Sequence, residues 1–117
     1  HPKVSKVYYP GLPGHLGHGV AAEQMKDFGA LLSFELVGDK AEVERTLSKF
    51  KTALLASTLG SVDTLLGTPS TTSHVECSSE QRRALGIPDG LIRCSLGIEP
   101  TETIIDDFKQ ALNPNRI

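Results

Sequence analysis

The sequence predicts an α/β fold, an α+β sandwich in which helices cover one face of a small sheet. Segments with strand-like alternation and segments with helix-like spacing follow one another along the chain. The 117 residues, with 38% hydrophobic content, are enough for one core and too few for two. We therefore treat residues 1–117 as one domain, with the expected order strand, helix, strand, helix, strand, loop, helix, strand, helix.

The first third of the chain predicts two strands separated by a short helix. Apolar and polar residues alternate over residues 3–9 and stop at Pro10, as in a strand that runs into a loop. Apolar side chains recur every three or four positions over 19–28, which predicts a helix that Gly29 ends. Residues 30–37 predict a second strand, and its apolar face consists of Leu32, Phe34 and Leu36.

The middle of the chain predicts a second helix and a short strand. Asp39 is a good N-cap, and the helix after it has one apolar stripe, formed by Val43, Leu47 and Phe50. Residues 53–56 predict a short buried strand, and residues 62–66 predict one or two helical turns. The polar residues 70–74 have no period and predict a loop.

The last third predicts helix, strand and helix. Ser78 and Gln81 form a capping-box pattern, and the helix that they begin is expected to place Leu85 on its buried side and to close at Gly86. After a turn at residues 88–90, residues 91–96 predict a strand with Ile92, Cys94 and Leu96 toward the core and Leu91, Arg93 and Ser95 on the other face. The final helix ends near Asn113, and its apolar stripe is Ile104, Ile105, Phe108 and Leu112.

Composition excludes several classes of function. The net charge of −2, the pI near 6.1 and the lack of a basic face argue against nucleic acid as a partner. The apolar runs are a handful of residues long, whereas a membrane span needs about 20. Cys77 and Cys94 form no C-x-x-C pair and no signal-peptide pattern is present, which predicts reduced thiols and a cytoplasmic protein. The first residue is His1 rather than Met, which favours a fragment, a processed product or a trimmed form of a longer protein.

The stretch GLPGHLGHG, residues 11–19, concentrates glycine and histidine and invites three interpretations. A phosphate cradle is excluded because the stretch lacks both the Lys-Ser/Thr ending of a P-loop and G-x-G-x-x-G spacing. A metal site is disfavoured because His15 and His18 supply two ligands where three or four are needed, and His1 and His74 are distant. We predict no metal site, and we interpret the stretch as a tight bend leading into the next helix.

Arg93 is the most interesting polar residue of the predicted strands. A guanidinium on an otherwise apolar strand offers a planar fork that binds a carboxylate or a phosphate through two hydrogen bonds. The alternative is an ordinary surface or salt-bridged strand residue. Residues 57–60 follow a predicted strand and offer hydroxyls and backbone N–H groups to an anion, although most such junctions bind nothing.

Several segments in order resemble a known family. The run Leu91 to Glu99, LIRCSLGIE, preceded by GIPDG at 86–90, closely resembles the signature G-I-x-x-G-L-I-R-x-S-x-G-I-E of the Cys/Met-metabolism family of pyridoxal-phosphate enzymes. Residues 58–65, TLGSVDTL, are similar to that family's S-L-G-x-V-x-S-L segment, and residues 69–74 to its P-x-x-x-T-H loop, with Ser73 before His74. HPKV at the start, VYYPGL at 7–12, the two histidines three apart and Gln24-Met25 extend the resemblance over essentially all 117 residues.

The resemblance implies the C-terminal small domain of a fold-type I enzyme, with a largely antiparallel sheet and helices on one face. In this family pyridoxal phosphate is held covalently by a lysine in an S-x-T-K motif of the large domain, and no lysine of this chain has that context. The family therefore implies that the cofactor is bound mainly by a large domain absent from this chain, that the chain alone contributes no catalytic residue, and that it is inactive alone. It also implies a homotetramer in the complete enzyme.

The resemblance assigns three substrate-binding residues. Arg93 matches the arginine that binds the α-carboxylate of the amino-acid substrate. Thr58 stands in the place of the family's serine at the strand end, and Ser57 where cystathionine-handling members tend to have Glu. The small neutral Ser57 fits methionine γ-lyase or sulfhydrylase behaviour at least as well as cystathionine chemistry, and the sequence does not choose among them.

Two functional hypotheses follow. The chain is either the substrate-binding domain of a lyase or transferase acting on sulfur amino acids such as cystathionine, methionine or activated homoserine, or a free-standing α/β module that binds a carboxylate ligand or a protein partner without catalysis. The residues upstream of His1, and calorimetry of the chain with amino acids, distinguish the two.

Overall fold

A computed structural model describes residues 1–114 and has, within them, five strands and four helices. The strands are β1 (Val4–Tyr8), β2 (Leu31–Leu36), β3 (Leu54–Leu55), β4 (Leu65–Gly67) and β5 (Leu91–Ser95). The helices are α1 (His18–Gln24), α2 (Lys40–Leu47), α3 (Ser79–Ala84) and α4 (Thr101–Leu112). Within this described part, no helix is both long enough and apolar enough to cross a membrane.

The five strands form one sheet in the order β1-β2-β5-β4-β3. β1 with β2, β2 with β5 and β5 with β4 pair antiparallel, and only the short β3 pairs parallel, with β4. The predicted antiparallel sheet is therefore confirmed. β5, which contains Arg93, lies at its centre.

One face of the sheet packs against helices α2 and α4. The predicted inward residues Phe34 and Leu36 of β2 and Ile92 and Cys94 of β5 are buried there. They join Leu66 of β4 and residues of both helices, namely Val43, Leu47 and Leu112. Burial, with a smaller effect of nearby Glu99, raises the pKa of the Cys94 thiol to about 11, so it stays a neutral core residue. Arg93 lies on the opposite face of β5.

The predicted starts of the two helices that follow Asp39 and Ser78 are confirmed. The Asp39 carboxylate accepts the backbone N–H of Glu42, and the Glu42 side chain accepts the N–H of Asp39. Ser78 and Gln81 form the same reciprocal pair at α3. Each pair satisfies backbone donors that a helix start leaves without partners, which is why these boundaries follow from local sequence.

Two predictions between residues 53 and 66 are wrong. Residues 62–66 do not form helical turns: Leu65 and Leu66 belong to β4, which pairs with Ser95 and Cys94 of β5. The spacing of apolar residues over so short a segment does not separate a helical turn from a strand, and the pairing with β5 decides. The predicted strand over 53–56 exists as β3, but it is an edge strand, and its two leucines are exposed within residues 1–114.

Three helix details also differ from expectation. α1 ends at Gln24 rather than Phe28, while Gly29 adopts a φ of +83° in the connection to β2. Leu85, expected on the buried side of α3, is exposed, and Arg82 is buried in its place. In α4 the predicted stripe includes Ile105, which is exposed, while Asp107 is buried.

Candidate anion-binding site

Arg93 lies in the middle of β5 between two small neighbours. Its cross-strand partners are Ser33 on β2 and Gly67 on β4. Residues directly opposite each other share a sheet face, so a serine and a glycine flank the arginine and leave its long side chain room to lie across the sheet. The side chain runs toward the β3 edge, and the residue as a whole is half-buried.

The guanidinium is held by backbone carbonyls at the end of β3. Its Nη2 donates to the carbonyl oxygen of Thr58 at 2.9 Å and to that of Ser57 at 3.4 Å. Nη1 and Nε have no hydrogen-bond partner among residues 1–114. The carbonyls fix one end of the planar fork, and its remaining N–H donors are available to a carboxylate or phosphate oxygen.

Gly67 allows the chain after β3 to approach the arginine. A Cβ at this position would lie 2.9 Å from the carbonyl oxygen of Ala56 and 3.8 Å from Nη2 of Arg93. Ala56 is held there because its N–H donates to the carbonyl of Leu66 at 2.9 Å. A side chain at position 67 would therefore displace the segment that carries the two carbonyls.

Ser57 and Thr58 contact Arg93 through their backbone carbonyls only. Both residues are exposed, and neither hydroxyl makes a hydrogen bond within the described part of the chain. Ser57 also borders a cavity of about 370 Å³ between α2, the end of β4 and the turn after it. The cavity is lined by leucines 47, 55 and 66, by threonines 68, 71 and 72, and by Glu44, Ala56, Ser57 and Gly67.

A carboxylate fixes the far end of the loop that contains Thr58. One oxygen of Glu99 accepts the backbone N–H of Thr64 at 2.5 Å, and the other accepts the Thr64 hydroxyl at 2.6 Å. The same hydroxyl oxygen accepts the N–H of Gly97 at 2.9 Å. The two bonds from Thr64 hold the pKa of the Glu99 carboxyl below its usual value, so it is ionised at neutral pH.

Two more contacts join this loop to the end of β5. The hydroxyl of the buried Ser95 accepts the N–H of Gly60 at 2.9 Å, and the carbonyl of Val62 accepts the N–H of Ile98 at 2.8 Å. Gly60 has a φ of +75°, a conformation that favours glycine. The sequence predicted no role for Thr64, Ser95 or Glu99; the signals were that Thr64 belongs to the TLGSVDTL segment and that Ser95 and Glu99 belong to the LIRCSLGIE run.

The glycine-rich stretch at residues 11–19 forms turns, as predicted. His15 Nδ1 accepts the N–H of Gly17 at 3.0 Å, and His18 Nδ1 lies 2.8 Å from the carbonyl of Pro10. The His18 ring stacks on Phe28 with centroids 5.4 Å apart. Both histidines therefore shape the bend, and among the described residues no group of three or more His, Cys, Asp or Glu side chains is placed to hold a metal ion.

The fold and this geometry place the chain in the class of small α/β domains that cover one sheet face with helices and present an arginine on the other. The model of the family described as Cys/Met metabolism PLP-dependent enzyme matches residues 1–113. The chain belongs to this family of pyridoxal-phosphate-dependent enzymes.

Relatives at high identity agree with this assignment. The chain is 47% identical over 112 residues to an L-methionine gamma-lyase of Fusobacterium nucleatum subsp. polymorphum, and 44% identical over 109 residues to a cystathionine beta-lyase of Lactococcus lactis subsp. cremoris. These matches cover 96% and 93% of the chain. In both cases the chain spans 28% of the length of the relative.

Solved structures give the same picture. The chain superposes with a TM-score of 0.87 and 43% identity on cystathionine gamma synthase from Xanthomonas oryzae pv. oryzae, crystallised with cystathionine. It superposes with a TM-score of 0.88 and 38% identity on a cystathionine gamma-lyase from Micromonospora echinospora. Each match covers 96% of this chain and 29% of the other, so the resemblance concerns one part of a larger enzyme.

Covalent attachment of pyridoxal phosphate needs a lysine amine at the reaction centre. Among residues 1–114, no lysine lines the cavity beside Ser57. Lys6 shares the open sheet face with Arg93, but it is two strands away, where its amine lies 4.6 Å from the centre of the Tyr8 ring.

Proposed function

We propose that this chain is the C-terminal substrate-binding domain of a pyridoxal-phosphate-dependent lyase or transferase that acts on sulfur amino acids. Arg93 binds the α-carboxylate of the amino acid through its free N–H donors. Thr58 presents its hydroxyl beside the same carboxylate, and Ser57 borders the space for the rest of the substrate. The large domain of the same enzyme supplies the cofactor lysine and most of the cofactor contacts.

The geometry of the Arg93 fork is the observation that supports this proposal. An arginine that served a surface ion pair would have a carboxylate partner, but the partners of Arg93 within residues 1–114 are the carbonyls of Ser57 and Thr58. Carbonyls orient a guanidinium without neutralising its charge. The charge is therefore left for a carboxylate, whose two oxygens match the fork.

The substrate class is narrower than the family but is not a single compound. The relatives include proteins named for methionine and for cystathionine. Ser57 offers a hydroxyl where a carboxylate would pair with the second ammonium of cystathionine, although Glu44 lines the same cavity. We therefore propose a sulfur amino acid of this group, with methionine or an activated homoserine fitting Ser57 at least as well as cystathionine.

We extend the proposal to the setting of the complete enzyme. It works in the cytoplasm as a homotetramer, and this chain packs against its large domain. Neither nucleic acid nor a membrane is a partner. The alternative of a free-standing ligand-binding module has the family match and the coverage of its relatives against it.

The test is a substitution of Arg93 in the full-length enzyme. We expect Arg93→Ala to raise KM for the amino acid and to lower kcat/KM by about 100-fold, because two charge-assisted hydrogen bonds contribute about 3 kcal/mol together. Arg93→Lys should recover part of the loss, since an ammonium keeps the charge and loses the fork. Steady-state kinetics with the amino acid and with its carboxamide measure the dependence on the carboxylate.

Arg45→Ala is the matched control. Arg45 is exposed on α2, on the other side of the sheet from Arg93, and we expect its removal to leave the kinetics unchanged. The proposed role of Arg93 fails if Arg93→Ala leaves KM as it is, or if it weakens the carboxamide as much as the acid.

A further inference from the structure

The Glu99 carboxylate and the Thr64 hydroxyl form a clamp on the loop between β3 and β4. We infer that this pair positions Arg93 for its substrate, although neither residue contacts the guanidinium. The inference rests on the proposed function and adds to it two positioning residues. The clamp is defined as the side chain of Glu99 with the backbone N–H and hydroxyl of Thr64.

The clamp acts on the segment that holds the arginine. Thr64 is completely buried, and its carbonyl accepts the N–H of Leu54 at 2.9 Å. Thr64 is therefore tied to β3 on one side and to Glu99 on the other. The carbonyls of Ser57 and Thr58 lie in the chain between Leu54 and Thr64, so a shift of Thr64 moves the acceptors that orient Arg93.

The hydrogen-bond pattern requires an ionised carboxylate at position 99. The Thr64 N–H and hydroxyl both donate, which needs two acceptors on the partner. The Thr64 hydroxyl oxygen also accepts the N–H of Gly97, and its single proton is donated to Glu99. A glutamine side chain has one acceptor oxygen and one NH2 group, which only donates. One of the two Thr64 donors would therefore face a donor and lose its acceptor.

Gly97 makes this close arrangement possible. A Cβ there would lie 2.2 Å from the carbonyl oxygen of Val62 and 2.6 Å from the nitrogen of Thr64. The chain after β5 therefore runs directly against the loop. This contact places the Glu99 carboxylate at the end of the same loop whose carbonyls accept hydrogen bonds from Arg93.

The experiment compares Thr64→Val, Thr64→Ser and Glu99→Gln in the full-length enzyme. Thr64→Val has nearly the shape of threonine and no hydroxyl, so we expect KM for the amino acid to rise about tenfold while kcat changes far less. Glu99→Gln should have the same effect. Thr64→Ser keeps the hydroxyl and should restore KM, and Glu102→Gln, an exposed carboxylate on α4, should behave as the unmodified enzyme.

A double substitution separates positioning from a general loss of structure. In an Arg93→Ala background the clamp has no arginine to position, so we expect Thr64→Val to cause no further rise in KM. An equal rise in both backgrounds overturns the inference. So does an unchanged KM in Thr64→Val and Glu99→Gln when Arg93→Ala raises it, and this result leaves the proposed function standing.

The proposed function and the positioning role of the clamp fail on different results. Arg93→Ala without effect on KM removes the proposed function and the positioning role together. If Glu99→Gln does not fold, the Thr64→Val and Thr64→Ser pair decides, because valine and serine differ from threonine by a single group. A rise in KM that serine does not reverse assigns the effect to packing and overturns the inference.

Discussion

Single residues decide how closely the segments of the site approach each other. At Gly97 the nearest atoms to an added Cβ all belong to the backbone of residues 62–64, at 2.2–2.6 Å. Backbone held by hydrogen bonds on both sides does not move aside as a flexible side chain does. The requirement for glycine here comes from space, since φ at this position is not positive.

We expect Gly97→Ala to destabilise the protein by about 3 kcal/mol, because the methyl group forces the loop away from β5. Urea unfolding of the 117-residue chain measures the loss. Gly19→Ala is the control: Gly19 lies in α1 with no other group within 4 Å of an added Cβ, and alanine there should stabilise by about half a kcal/mol. Equal midpoints for the two variants would contradict the steric argument.

The sequence pattern does not predict which charged residues are buried. Arg82 is buried because its guanidinium donates to the carbonyls of His74 and Cys77 and pairs with Asp89 at 3.4 Å. Leu85, the apolar residue that the pattern places inside, has no such set of partners and is exposed. The partners of Arg82 come from loops on both sides of α3, and their positions are set by the fold rather than by helical spacing.

At the scale of elements, one carboxylate attaches α4 to the chain before β3. Asp107 accepts the backbone N–H groups of residues 51–53 at 2.8–2.9 Å, and the amide of Gln110 at 2.9 Å. Burial opposes its ionisation, but these donors outweigh burial and hold the pKa of Asp107 below its usual value. The ionised form is therefore the one that stabilises the fold.

This linkage predicts a pH dependence. A carboxyl whose pKa is lowered by folding stabilises above its unfolded pKa, about 3.9, and loses that contribution as pH falls below it. We expect Asp107→Asn to cost about 2 kcal/mol at pH 7, since an amide cannot accept all the N–H groups. The difference from the unmodified chain should shrink as the pH is lowered toward 2.

Asp106→Asn provides the comparison on the same helix. Asp106 is 72% exposed and its ion pair with Lys109 is 3.5 Å long, so we expect a change below about 0.5 kcal/mol at every pH. Urea midpoints of both variants from pH 7 to pH 2 test the prediction. A pH-independent cost for Asp107→Asn would show that ionisation of Asp107 does not contribute.

Elements with a clear periodic or capping signal could be predicted, and the short β4, which depends on pairing, could not. The capping boxes at Asp39 and Ser78 are complete within four residues, and both helices start where the sequence indicates. β4 has three residues, and it is a strand because β5 and β3 hydrogen-bond to it on both sides. Its sequence alone fits a helical turn equally well.

At the scale of the whole molecule, some residues of the site could be predicted from the sequence and others could not. Arg93, Thr58 and Ser57 could be named in advance because the family resemblance marks them, and the structure brings their atoms together. The clamp residues Thr64 and Glu99 are 35 positions apart, and although each lies in a family-like segment, neither segment indicates that the two are bonded. Their relation depends on how two loop segments cross, which only the three-dimensional structure provides.

Exposed apolar side chains lie on the loops that follow β3 and β5. Leu59 and Val62, in the loop after Thr58, and Ile98, after β5, are exposed by 52%, 62% and 81%, so large apolar side chains face solvent there. Within the described part of the chain, no lysine lines the cavity beside Ser57. Both features agree with the proposed function, in which another part of a longer enzyme completes the site.

We therefore expect the 117-residue chain made alone, with added pyridoxal phosphate, to leave methionine and cystathionine unconsumed. Co-expression with the upstream part of its gene should restore turnover of at least one sulfur amino acid, because the proposed function assigns the cofactor lysine to that part. Chromatographic assay of the amino acids measures both arms. Calorimetry on the isolated chain is the decisive control: tight amino-acid binding without cofactor would contradict a divided site, because half of a carboxylate-binding pocket open to water binds weakly, and it would favour an independent ligand-binding module.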